Sequence, residues 1–214
     1  MARVFPGTPG AASGLARKRR KIDDGRREAI VVQLREIILS EGFARTTSDE
    51  LSARLQCSKS TLYAIASSKH HLVATVLKHF FREAAENVEK EVAAIEDPAA
   101  RISTYLAAVG TQMRRMSSTC YQDMLEDDAT REIYVINSAA AARRVRELVH
   151  QGVDAGHFRP VHAEFVAEAV GLLIEGIQNG ELLDRTGLSN GDAFMELSDL
   201  VVTALTNQPG QQAT

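Results

Sequence analysis

Residues 47–71 read TSDELSARLQCSKSTLYAIASSKHH and carry two helix-start signals a few residues apart. Thr47 is followed three residues later by Glu50, the spacing at which a cap hydroxyl and a returning carboxylate satisfy two free backbone N–H groups. A helix is expected to start there, with Leu51 and Leu55 at i and i+4 on its buried face and Asp49, Glu50 and Arg54 left for water. Ser58, after Gln56-Cys57, can cap a second helix, SKSTLYAIA, whose Leu62 and Ile65 pack back on the first. Helices this short are marginal alone in water, so they require each other and a third helix as a platform. The pattern predicts a helix-turn-helix.

The outward residues of the second helix are Lys59, Ser60, Thr61 and Tyr63. A cation and three hydroxyls stand at the N-terminal end, where the helix dipole and free N–H groups already favour an anion. That chemistry suits DNA: the second helix of such motifs enters the major groove while hydroxyls and amines fix register on phosphates. A cap and a solvated first turn would display the same residues, so the flanks have to decide.

The flanks AIVVQLREIILSEGFARTTSDELS and SSKHHLVATVL, together with SKSTLY at 58–63, make the chain resemble the tetracycline-repressor (TetR) family of bacterial transcription regulators from about residue 29 to residue 81. The resemblance implies an all-α fold, an N-terminal three-helix DNA-binding unit and a helical body that binds a small molecule and dimerises. It implies that Tyr63 and Lys69 hold phosphates and that Thr47, Ser48, Ser58, Lys59, Ser60 and Thr61 surround the groove. The chain departs from the family pattern at three places. Gln56 stands where Gly is usual in the turn, Ala64-Ile65-Ala66 replaces an aromatic-rich segment, and Leu55 replaces a small residue.

The 214 residues are 44% hydrophobic, ordinary for a globular protein, and no run of eighteen apolar residues or secretory leader is visible. Cys57 and Cys120 have no metal or redox spacing, and a reducing cytoplasm fits them best. Net charge is −3, but Lys and Arg outnumber Asp and Glu by 13 to 7 over residues 1–70 and are outnumbered 12 to 21 thereafter. A basic third on an acidic body is expected if only that third meets phosphate. Residues 1–16 have too little apolar mass to pack. Arg17, Lys18, Arg19, Arg20 and Lys21 form a basic arm able to follow the minor groove.

Periodicity predicts further helices over about 26–40, 69–95, 98–116, 130–155, 162–179 and 192–206, with a short one in 117–128 and a loop across Gly180, Gly187 and Gly191. The resulting division is a basic arm over 1–21, a DNA-binding unit over 22–71, a body over 72–207 and a polar tail over 208–214. The body is expected to hold a mainly hydrophobic ligand against Met113, Met116, Cys120, Tyr121, Met124, Tyr134 and Asn137. A two-fold dimer is expected through Phe165, Ala169, Leu173, Ile177, Phe194, Leu197, Val201 and Leu205.

An enzyme is not expected: His70, His71 and His79 lack a metal-ligand spacing, and no phosphate loop or nucleophile elbow is present. No cofactor or metal is expected either. The reading is a homodimeric repressor released from a near-palindromic operator by a small effector. The alternative is a helical ligand-binding or structural protein that has lost specific DNA binding.

Overall fold

The computed structural model describes residues 24–159 and 161–205; the arm at 17–21, Asp23 and the tail at 208–214 lie outside the described residues. Among the described residues every element is an α-helix and no strand occurs. The first three are α1 (Asp24–Glu41), α2 (Ser48–Arg54) and α3 (Lys59–Ile65). Thr47 and Glu50 form the expected reciprocal cap on α2, and Ser58 caps α3 by accepting from the Thr61 N–H at 3.2 Å. Leu34, Ile38, Leu51, Leu55 and Leu62 bury the seam among the three. At about 25 cal/mol per Å² of apolar surface, such side chains are what hold together helices too short to stand alone.

Gln56 holds the turn with φ +48°. The left-handed turn therefore persists without Gly, at a cost on the order of 1 kcal/mol for carrying a Cβ there. Leu55, the bulkier residue before the turn, is buried against the platform.

The long helix α4 (Lys69–Ala93) is capped by Ser68 and buries Leu72, Val73, Val76, Leu77, Phe80, Phe81, Ala84, Val88 and Val92 along one stripe. At 1.5 Å per residue it spans roughly 38 Å. The domain boundary drawn at 71/72 falls inside it. Asp97 caps α5 (Pro98–Met113), which opens on proline; α6 (Ser118–Glu126), α7 (Asp128–Asp154) and α8 (Ala163–Gln178) follow. Asp127 caps α7, accepting from the Thr130 N–H at 3.0 Å.

The stretch read as a loop around three glycines contains a six-residue helix, α9 (Glu181–Thr186), bounded by Gly180 and Gly187, both at positive φ. Six residues are too few for a periodic signal, and flanking glycines read as breakers. The final helix is α10 (Asn190–Leu205). In the body α5 is central, packed on α4, α7 and α10, while α8 lies along α7.

Candidate nucleic-acid interface and body cavity

At the tip of the three-helix unit, Ser58, Lys59, Ser60 and Tyr63 are exposed, and Thr47, Ser48, Thr61 and Lys69 lie beside them at the surface. Their positions are fixed by local bonds. Tyr63 is 46% exposed, and its hydroxyl donates to Ser48 Oγ at 3.1 Å. The Lys69 Nζ donates to the Ala44 carbonyl at 3.2 Å, and Ser58 Oγ lies 2.7 Å from Ser60 Oγ and 2.9 Å from Thr61 Oγ1. Lys59 Nζ is paired with Asp49 Oδ1 at 2.6 Å, a contact that raises its pKa. Hydrogen bonds from Thr47 hold the Glu50 carboxyl below the usual carboxylate range. Arg45, exposed on the loop entering α2 and with no ion pair among the described residues, is a cation the sequence reading passed over. Its only signal was proximity to Thr47.

The three-helix unit is joined to the body through α6. The Asp123 carboxylate accepts from Phe43 N–H at 2.5 Å and Ala44 N–H at 2.8 Å, and Ser117 N–H donates to the Leu39 carbonyl at 2.8 Å. Gly42, at φ +82°, faces Asp123 so closely that a Cβ would collide with it. His70 Nδ1 lies 3.2 Å from Asp127 Oδ2. Burial pushes the Asp127 carboxyl up, but hydrogen bonds from Thr130 and His70 outweigh it and leave it low.

In the body, a cavity of about 330 Å³ opens between α4 and α7 over α5. It is large enough for a small ligand. It exists because both facing helices carry small residues there, Ala84 and Ala85 on α4 and Ser138, Ala140 and Ala141 on α7. Phe81, Tyr105, Met113, Tyr134 and Phe194 form its buried floor. At the rim Arg144 spans the helices, its Nε and Nη2 donating to Glu89 at 2.9 and 3.1 Å and its Nη1 to Glu147 at 3.2 Å.

Of the expected ligand residues, Met113, Tyr134 and Asn137 line this cavity. Met116, Cys120, Tyr121 and Met124 do not. They are buried in the apolar core, with the Tyr121 hydroxyl donating to the carbonyls of Ile177 and Gln178. Burial also pushes the Cys120 thiol up to about 12, so it is inert. The small-residue pairs on α4 and α7 were the legible signal for the cavity, and methionine spacing was not.

Among the expected dimer residues, Ile177, Phe194, Leu197, Val201 and Leu205 are corrected: each is at most 4% exposed within the single chain and therefore belongs to its own core. Phe165 is exposed, Ala169 and Leu173 partly so, and Leu172 and Leu200 stand out beside them at 67% and 57%. Both faces of α8 are apolar; periodicity alone does not say which is turned inward.

Among the described residues no group of His, Cys, Asp or Glu is placed to hold a metal, and no helix is long and apolar enough to cross a membrane. No protein-family profile matches the chain, and no curated protein matches it in sequence. Solved structures do match in three dimensions. A regulator from Saccharomonospora viridis in complex with choline superposes with a TM-score of 0.68 at 16% identity, over 87% of this chain and 100% of that one. A TetR transcription regulator from Haloarcula marismortui gives 0.66 at 17% identity, over 86% and 100%. A TetR-family regulator from Thermus thermophilus gives 0.58 at 17%, over 83% and 99%. The helix-turn-helix, the connecting helix and the helical body together give this chain the fold of the TetR-family transcriptional regulators.

Proposed function

We propose that the chain is a cytoplasmic, homodimeric DNA-binding transcriptional regulator, acting as a repressor that leaves its operator when a small, mainly hydrophobic ligand enters the body. The observation that carries the reading is the exposed N-terminal end of α3, where Lys59, Ser60, Thr61 and Tyr63 are held by local bonds on a fold shared with transcriptional regulators. Groups held in place before contact lose less freedom on binding. The apolar residues Phe165, Leu172 and Leu200 support pairing of two chains through α8 and α10, since exposed apolar clusters mark interaction surfaces. A two-fold pair would set two α3 helices about 34–36 Å apart, on successive major grooves. The regulator of the same fold crystallised with choline supports a small-molecule ligand, and the cavity between α4 and α7 is the place for one here. A ligand preferring the arrangement unfit for DNA lowers DNA affinity by that preference, and DNA lowers ligand affinity equally.

Footprinting on the DNA flanking the protein's own gene tests this reading. Two protected half-sites one helical turn apart are expected, with Tyr63→Ala weakening them about tenfold or more. A chain that is monomeric in solution and protects no duplex at low salt would instead be a helical ligand-binding or structural protein.

A further inference from the structure

Of the charged groups lining the cavity, Arg144, Glu89 and Glu147 are paired with one another at the rim, and Arg143 is an exposed cation with no ion pair among the described residues. Further hydrogen-bonding capacity lies along α5. Tyr105 is 6% exposed, and its hydroxyl makes no hydrogen bond among the described residues. Gln112 is 8% exposed; its Oε1 accepts from Arg115 Nη1 at 3.0 Å, and its N–H donors have no partner among the described residues. Both side chains line the cavity. They lie seven residues apart on α5, which puts them on one face with two turns, roughly 10.5 Å, between their backbones. The apolar side chains Phe81, Val109 and Met113 line the same cavity.

Resting on the ligand reading above, we propose that the ligand is an elongated, mainly apolar molecule with an oxygen acceptor near each end, one meeting the Tyr105 hydroxyl and the other the Gln112 amide. Buried donors of this kind discriminate strongly, because a ligand lacking the matching oxygen leaves them unpaired after water is displaced. A body without oxygens therefore loses to one that has both. A single-headed carboxylate such as a medium-chain fatty acid meets Arg143 at most and brings no oxygen to the second donor.

The test uses the full-length chain and calorimetric titration with three probes of one shape: androst-4-ene-3,17-dione, with an oxygen at each end; androst-4-en-3-one, with one; and androstane, with none. Decanoate serves as the single-headed acid. The dione is expected to bind most tightly, each missing oxygen weakening binding about fivefold to tenfold. Tyr105→Phe and Gln112→Met should each remove the advantage of one oxygen only, so that the dione falls to the level of the one-oxygen probe. Decanoate binding more tightly than the dione, three steroids binding alike, or both variants binding the dione as the native chain does would each overturn the proposal. Ala141→Phe, which fills the cavity from α7, separates the two readings. If the dione binds that variant unchanged, the cavity is not the ligand site, and both readings of it fail. If filling abolishes binding while the oxygens make no difference, only the chemical assignment fails.

Discussion

At its first turns α4 is held by polar contacts near the surface: Ser68 caps it, Lys69 reaches the Ala44 carbonyl and His70 lies against Asp127. Three turns later the same helix presents Phe80 and Phe81 to a packed interior, Phe80 without measurable exposure and with the Arg115 guanidinium 5.4 Å from its ring centre. The first kind of contact is modest in net free energy and can be exchanged for water; the second is large and leaves a void when lost. One helix thus carries, besides the apolar stripe from Leu72 onward, surface polar contacts at its start that are replaceable and a packed centre that is not.

The largest expected effect lies at the apolar end. Phe80→Ala should destabilise the whole chain by about 3–5 kcal/mol in equilibrium denaturation. A loss below about 1 kcal/mol would show that the centre of α4 is not the anchor supposed here. At the joint, Asp123→Ala removes the acceptor of two backbone N–H groups and should cost about 1.5–3 kcal/mol. Hydrogen exchange should rise first around Phe43 and Ala44; a uniform rise across the body would blur the contrast between the two ends.

Within the three-helix unit, Gln56→Gly should stabilise the chain by about 0.5–1 kcal/mol, because the turn already holds a positive φ. Destabilisation in a melting curve would mean the Gln56 side chain makes a contact of its own. The smallest effect concerns acid. The Glu50 carboxyl is held low by the hydrogen bonds from Thr47, so the folded chain binds this proton less readily than the unfolded one. Its contribution is present above the ordinary glutamate pKa and is lost as pH falls through the depressed value. Amide signals of α2 should broaden on the acid side of the carboxylate range, and Glu50→Gln should abolish that pH dependence.

The three-helix unit was legible in the sequence because its signals are local: Thr47 with Glu50 and Ser58 before Lys59 each act within one turn, and both caps are formed. The cavity was only half legible because it depends on which residues of α4, α5 and α7 meet, a property of tertiary packing. Tyr134 and Asn137 were found by their polarity, whereas Tyr105 and Gln112 sit in a stretch that reads as ordinary amphipathic helix. For α8 and α10, apolar residues on more than one side left inner and outer faces indistinguishable, so Leu197 and Val201 were taken for surface while Leu172 and Leu200 were passed over as interface residues. Short α9 was hidden by its bounding glycines.

The central claim is that the lysine-and-hydroxyl end of α3 meets phosphate. In the chain without DNA Lys59 is paired with Asp49, so engaging a phosphate means exchanging that partner. The most direct measurement is operator affinity across a range of salt concentrations for the native chain and for Lys59→Ala. The variant should bind more weakly at low salt, and its plot of log affinity against log salt should be shallower by about one for each phosphate contact removed. Superimposable plots for the two proteins would contradict the claim.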